Sequence, residues 1–218
     1  MVRHPLVFYF DYISPFAYLA SLRIEAIGAR LGARVEPTPV LFAGLLNHFG
    51  QLGPAEIAPK RRWAFRRALR RADQLGVKLE PPPHHPFNPL LALRVTRATP
   101  EAQRWSVIHA LFEATWGNGR GVEQAADIRE ALRGLDVDVD QLLHAAATDS
   151  VKVALRAATE RAIEQGVFGV PTCLLDSELY WGEDTFDDMV LEAEAGGPQQ
   201  DARLERWLSL GATAQRQR

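Results

Sequence analysis

Phe10-Asp11-Tyr12-Ile13-Ser14-Pro15-Phe16-Ala17-Tyr18 joins a strand to a helix. Leu6-Val7-Phe8-Tyr9-Phe10 is a short aromatic and β-branched run, which predicts a strand. Ser14 before Pro15 combines an N-cap with a first-turn proline, which predicts a helix to about Leu31, stopped by Gly32. Ser14 and Ala17 therefore sit at a helix N-terminus, where free N–H groups and the positive dipole end favour an anion such as a thiolate. Neither residue is a cysteine. A reactive sulfur at this point, if there is one, should come from outside the chain.

Outward from this turn, residues 34–41 read as a second strand that Pro37 and Pro39 push towards a sheet edge. Helical periodicity then dominates from Phe42 to Gln165. Asn88-Pro89 and Thr99-Pro100 have the form of cap-plus-proline helix starts. Strand character returns at 171–175 and 178–181, joined across Asp176-Ser177 as a hairpin. A helix over 184–193 and a polar tail follow, with Gln215-Arg216-Gln217-Arg218 expected to fray.

Composition narrows the function classes. A chain of 218 residues with 47% hydrophobic composition buries a full core. The formal charge of −2 disfavours a general nucleic-acid or membrane-surface role. The single cysteine, Cys173, excludes an internal disulfide framework and a cysteine zinc site. It reads as a small buried apolar residue rather than a nucleophile. Met1-Val2-Arg3-His4-Pro5 runs into the first strand without the apolar stretch of a signal peptide. No window approaches the roughly 18 apolar residues of a membrane span, so the expectation is a soluble cytoplasmic protein.

Several motifs together carry a resemblance: the 10–18 stretch; Gly50-Gln51-Leu52-Gly53-Pro54 with Lys60; Pro86-Phe87-Asn88 followed by Arg94; Gly166-Val167-Phe168-Gly169-Val170-Pro171-Thr172; and Trp181-Gly182-Glu183-Asp184. Over about residues 5 to 193 the chain resembles the 2-hydroxychromene-2-carboxylate isomerases and the kappa-class glutathione transferases. Both belong to the wider thiol-disulfide oxidoreductase A family. The resemblance implies an α/β fold, thioredoxin-like, with a large all-α domain inserted between βαβ and ββα halves. The halves are residues 1–45 and 166–218 (the latter with the tail), and the insertion is 46–165. In that fold the redox cysteine pair stands where this chain has Ser14 and Ala17.

The resemblance implies a glutathione-dependent cis-trans isomerase acting on a small aromatic acid in aromatic hydrocarbon catabolism. The reaction is 2-hydroxychromene-2-carboxylate to trans-o-hydroxybenzylidenepyruvate, or a close analogue. A kappa-like transferase or peroxidase, and a binding module that kept the fold after losing its cysteines, are the alternatives. A dithiol oxidoreductase needs a second thiol that Ala17 does not provide. No metal is required. Related enzymes are commonly homodimers, and no residue pattern here marks an interface.

The same resemblance assigns roles, each beside a plainer one. Ser14 is explained as a helix cap; by resemblance its hydroxyl also hydrogen-bonds the glutathione sulfur. Val170-Pro171 fits an ordinary trans turn; by resemblance it is cis, and Val170 pairs with the cysteinyl backbone of glutathione. Asp184 fits an N-cap, and with Glu183 it falls in the turn that holds the γ-glutamyl end of glutathione. Thr185 and Glu183 depart from the family pattern there, as Gln51 departs from the usual asparagine. Lys60, Gln51 and Asn88 match substrate-binding positions, Asn88 doubling as the cap before Pro89. His84 and His85 read as surface residues, since two adjacent histidines are a weak metal signal.

Residues 60–71 hold seven basic side chains and no acid, which leaves 18 basic against 27 acidic residues elsewhere. This reads as a solvated helix face whose first turn points at an anionic ligand, in preference to a nucleic-acid or membrane surface.

Overall fold

A computed structural model describes residues 5–197 and 202–214; the 215–218 segment lies outside the described residues. The chain opens with β1 (Leu6–Phe10), α1 (Pro15–Leu31) and β2 (Val35–Pro39). Ser14 caps α1 by accepting the Ala17 N–H, and Gly32 ends it in the left-handed conformation. The helical block follows: α2 (Phe42–Phe49), a 3-10 turn (Pro54–Glu56), α3 (Ala58–Leu75), α4 (Leu90–Ala98) and α5 (Glu101–Phe112). A π turn (Glu113–Gly117), α6 (Ala125–Ala131), α7 (Val139–Ala147) and α8 (Asp149–Glu164) complete it. The chain then returns to the sheet with β3 (Thr172–Leu175) and β4 (Glu178–Trp181). A 3-10 turn (Glu183–Thr185), α9 (Phe186–Glu194) and α10 (Ala202–Leu208) follow.

Among the described residues the sheet runs β2-β1-β3-β4. β2 lies parallel to β1, with Leu6 opposite Val35, and occupies an edge, where Pro37 and Pro39 interrupt no inner ladder. β3 lies antiparallel to β1, with Val7 opposite Leu174, and β4 antiparallel to β3. The β3–β4 loop places Asp176 at φ 49° and Ser177 at φ 74°. Two positive φ values match the primed hairpin turns that suit twisted strands.

The alternation of β1 builds two cores. Leu6, Phe8 and Phe10 pack with Leu19 and Ile24 of α1 and with Leu93, Val107 and Phe112 of the helical block. Tyr9 faces the other way, with Leu45 of α2, Ala162 of α8 and Val170. Phe10 stands 5.6 Å from Phe112, centroid to centroid, so the sheet and the helical block share one apolar interior.

At Thr99 and in the tail the elements differ from the sequence expectation. Thr99 is not an N-cap: its hydroxyl donates to the Val95 carbonyl at 2.8 Å, inside the helix that ends at Ala98. The tail is not simply polar, because Ala202-Arg203-Leu204-Glu205-Arg206-Trp207-Leu208 forms α10, built from strong helix formers. Leu204, Trp207 and Leu208 are exposed on it.

Cys173 is buried in β3, and burial pushes its thiol well above the ordinary range. It should resist a chromogenic disulfide reagent in the native protein and react only in denaturant. Rapid stoichiometric labelling of the native protein contradicts this.

Candidate active site at the Ser14 helix end

The loop before Ser14 is set by its neighbours. The buried Asp11 carboxylate accepts the Ile13 N–H at 3.1 Å and the Phe42 N–H at 2.9 Å, so it ties the α1 turn to the start of α2. Trp116 Nε1 donates to the Tyr12 carbonyl at 2.8 Å, and His85 Nε2 lies 3.0 Å from the Ile13 carbonyl. Ser14 N–H donates to the Asp11 carbonyl at 3.1 Å. The Ser14 hydroxyl oxygen accepts the Ala17 N–H at 3.2 Å, and the hydroxyl donates to the Val170 carbonyl at 3.5 Å. That last contact is long and easily given up to a better acceptor.

Opposite Ser14 stands the 168–172 loop. Val170-Pro171 is cis, as expected. Among the described residues the Val170 N–H has no hydrogen-bond partner. Thr172 Oγ1 donates to the Gly169 carbonyl at 2.7 Å, tightening the loop. A Cβ at Gly169 would fall 2.6 Å from Trp181 Nε1, so any larger residue there displaces the indole. The Trp181 ring lies 5.0 Å from Phe168 and is half exposed.

The Trp181-Gly182-Glu183-Asp184 turn divides its two acids. Glu183 is 2% exposed. Arg71 grips it with two bonds, Nε to Oε2 at 2.7 Å and Nη2 to Oε1 at 2.6 Å, and Arg23 adds a third contact. Burial works against ionisation, but hydrogen bonds from Arg71 and Arg23 outweigh it, so the carboxyl is held below its ordinary range. Asp184 is exposed, 3.6 Å from Arg67. It lies inside the 3-10 turn and does not cap α9, whose N-cap position, Thr185, makes no side-chain cap bond. The basic face of α3 thus meets its acids at this turn through Arg67 and Arg71. Among the described residues Lys60, Arg62, Arg66 and Arg70 form no ion pair.

The remaining expected residues sit at the surface. Gln51 is exposed just after α2, and Lys60 is exposed in the first turn of α3. Asn88 is exposed too: its Oδ1 accepts the Leu90 N–H at 3.1 Å, and its own N–H donates to Glu123 at 3.0 Å. His84 is exposed as expected, but His85 is not a surface residue. Its ring is enclosed by Phe65 at 5.1 Å, Trp116 at 5.7 Å and Phe87 at 6.3 Å. The sequence carries one pointer to it: His85 lies within the proline-rich 81–89 loop, beside Phe87.

Asp11 has a pH signature. Burial drives its carboxyl up to about 7, against the lowering effect of backbone N–H bonds from Phe42 and Ile13. A carboxyl with a raised folded pKa contributes stability that is full below the unfolded value and lost as pH rises through about 7. From pH 5.5 to 8 this group alone should cost about 2 kcal/mol. Urea denaturation of wild type and Asp11→Asn at both pH values isolates it; equal pH slopes in the two proteins refute the assignment.

A family model described as the DSBA-like thioredoxin domain matches residues 5–193. A 2-hydroxychromene-2-carboxylate isomerase from Sphingobium xenophagum is 27% identical over 183 residues, covering 83% of this chain and 93% of that protein. A glutathione S-transferase kappa 2 from Caenorhabditis elegans is 26% identical over 179 residues, covering 78% of this chain and 80% of the other. A solved 2-hydroxychromene-2-carboxylate isomerase superposes with a TM-score of 0.76 at 27% identity, over 94% of this chain and 97% of the other. The four-stranded sheet, the helical block between β2 and β3, and the Ser14 turn facing a cis-proline loop agree with that match. The chain belongs to the DSBA-like thioredoxin domain family.

Proposed function

We propose that this chain is a cytoplasmic, glutathione-dependent isomerase of an aromatic-catabolism intermediate. The reaction is 2-hydroxychromene-2-carboxylate to trans-o-hydroxybenzylidenepyruvate, or a close analogue. One observation carries the reading. A serine hydroxyl stands at the N-terminus of a 17-residue helix, opposite a Val170 N–H that has no partner among the described residues. The chain's own thiol is buried in β3. The names of the Sphingobium xenophagum relative and of the matching solved structure support the reaction class.

The residues present fit a bound glutathione. When bound, it would supply the nucleophilic thiolate for reversible covalent catalysis on the conjugated substrate. Ser14 turns its hydroxyl proton from the Val170 carbonyl to the sulfur, and the α1 end adds its dipole. The Val170 N–H takes a backbone carbonyl of the tripeptide, and Pro171 shapes the loop that presents it. Asp184, exposed, meets the γ-glutamyl ammonium. The Glu183 carboxylate is already saturated by two arginines, so it fixes the turn rather than reaching the ligand. Lys60 offsets the substrate carboxylate, and Gln51 and Asn88 orient its oxygens.

Conversion of the chromene acid with and without glutathione, followed by product identification, tests the reading. Turnover that requires glutathione and returns it unchanged supports the isomerase. Accumulation of a glutathione conjugate supports a kappa-like transferase instead, the second reading that the Caenorhabditis elegans relative favours. No binding at millimolar glutathione overturns both.

A further inference from the structure

The peptide group between Ile13 and Ser14 is pinned at both ends. Its N–H donates to the Asp11 carbonyl at 3.1 Å, and its carbonyl faces His85 Nε2 at 3.0 Å. A carbonyl only accepts, so Nε2 carries the hydrogen and Nδ1 of the neutral ring is a bare acceptor. That Nδ1 is buried and has no partner among the described residues. Burial, the strongest influence, lowers the pKa of the ring, and the Arg61 charge adds to it, while the Ile13 carbonyl works in the opposite direction.

Packing alone does not explain this residue. Phe65, Phe87 and Trp116 form an aromatic box that a phenyl ring suits as well, without leaving an acceptor unsatisfied. What phenylalanine lacks is a donor for the Ile13 carbonyl. The box packs around the imidazole, and the Arg61 guanidinium, donating to the His85 backbone carbonyl at 3.2 Å, fixes the main chain that carries it. Trp116 repeats the device one residue earlier, on the Tyr12 carbonyl.

We infer that His85 is a positioning residue for Ser14: its Nε2–H fixes the Ile13–Ser14 peptide and thereby aims the Ser14 hydroxyl at the ligand sulfur. This rests on the reading of Ser14 given above. The helical block then takes part in the chemistry through a backbone carbonyl of the sheet domain, without touching the ligand.

Two substitutions separate donor from filler. His85→Gln can keep an N–H at the same reach; His85→Phe fills the box and has none. Each protein is assayed for thermal stability, for the pKa of bound glutathione by ultraviolet thiolate absorbance, and for kcat and KM. His85→Phe should raise that pKa by roughly half a unit, leaving about threefold less thiolate at neutral pH, and kcat should fall by a similar factor with KM nearly constant. His85→Gln should stay within about twofold of wild type. Wild-type and His85→Phe curves that coincide overturn the inference while leaving the Ser14 reading intact. A wild-type protein with no lowered thiol pKa fails the Ser14 reading itself. If His85→Phe does not fold, ring 15N shifts of the unliganded wild type decide: the Nε2–H neutral tautomer is expected, and Nδ1–H overturns the inference.

Discussion

Ser14→Ala should raise the pKa of bound glutathione and lower turnover in step with the lost thiolate. A free thiol titrates near about 8.5, and a unit of pKa is worth about 1.4 kcal/mol. If the Ser14 hydroxyl supplies one unit, alanine leaves about tenfold less thiolate at neutral pH and about tenfold less activity. The cap bond to the Ala17 N–H disappears too, so stability should fall by about 0.5–2 kcal/mol. Stability and activity need separating, and Ser14→Asp does this. Aspartate caps helices as well as serine but sets a negative charge beside the sulfur. It should keep the cap, lose some stability where its carboxylate faces the Val170 carbonyl, and raise the thiol pKa more than alanine does. Ultraviolet titration of the three proteins decides; superimposable curves reduce Ser14 to a helix cap.

The largest expected loss of stability is at Arg71. Glu183 is 2% exposed and Arg71 provides its two-bond grip, so Arg71→Met leaves a buried carboxylate with Arg23 alone. Breaking a fully buried pair from one side costs about 3–5 kcal/mol; with Arg71 partly exposed and Arg23 still on the carboxylate, the loss here should be about 1–3 kcal/mol. Replacing both partners, Arg71→Met with Glu183→Met, should recover much of that loss, since the carboxylate is then gone. The Glu183 carboxyl is held below its ordinary value, so its stabilisation is present above the unfolded pKa and lost as pH falls through the folded one. Wild type should therefore lose this contribution only in acid, below about pH 4.5. Urea midpoints across pH 3–8 check both points. A single Arg71→Met variant as stable as wild type refutes the account.

Much of the frame was legible because its signals are local. The Leu6–Phe10 run, the Ser14-Pro15 start, the Gly32 stop and the Asp176-Ser177 hairpin each depend on neighbours a few residues away. Thr99 misled because a hydroxyl before proline can equally bond back to the preceding turn, and here it does so at the Val95 carbonyl. Asp184 misled for a related reason. A 3-10 turn takes up residues 183–185, so the helix begins later than the acid suggested. Glu183 and His85 were harder still. Their partners, Arg23, Arg71 and the Ile13 carbonyl, are far away in sequence, and only the folded chain brings them together. The polar composition of the tail hid α10, since arginine and glutamate are good helix formers whatever their polarity.

The placement of β1 bears on how the protein is made. Its inner neighbour is β3, with Val7 opposite Leu174, and the whole helical block is synthesised between them. At ~5–20 residues per second a ribosome needs on the order of 10–30 s to cover that distance. For that interval Phe8 and Phe10 can meet α1, β2 and the emerging helices, but one edge of β1 has no strand to pair with. An unpaired apolar strand edge is a template for association between chains. Nascent molecules should therefore be most prone to aggregate before residue 175 leaves the exit tunnel, and slower translation of the helical block should lengthen their need for a chaperone.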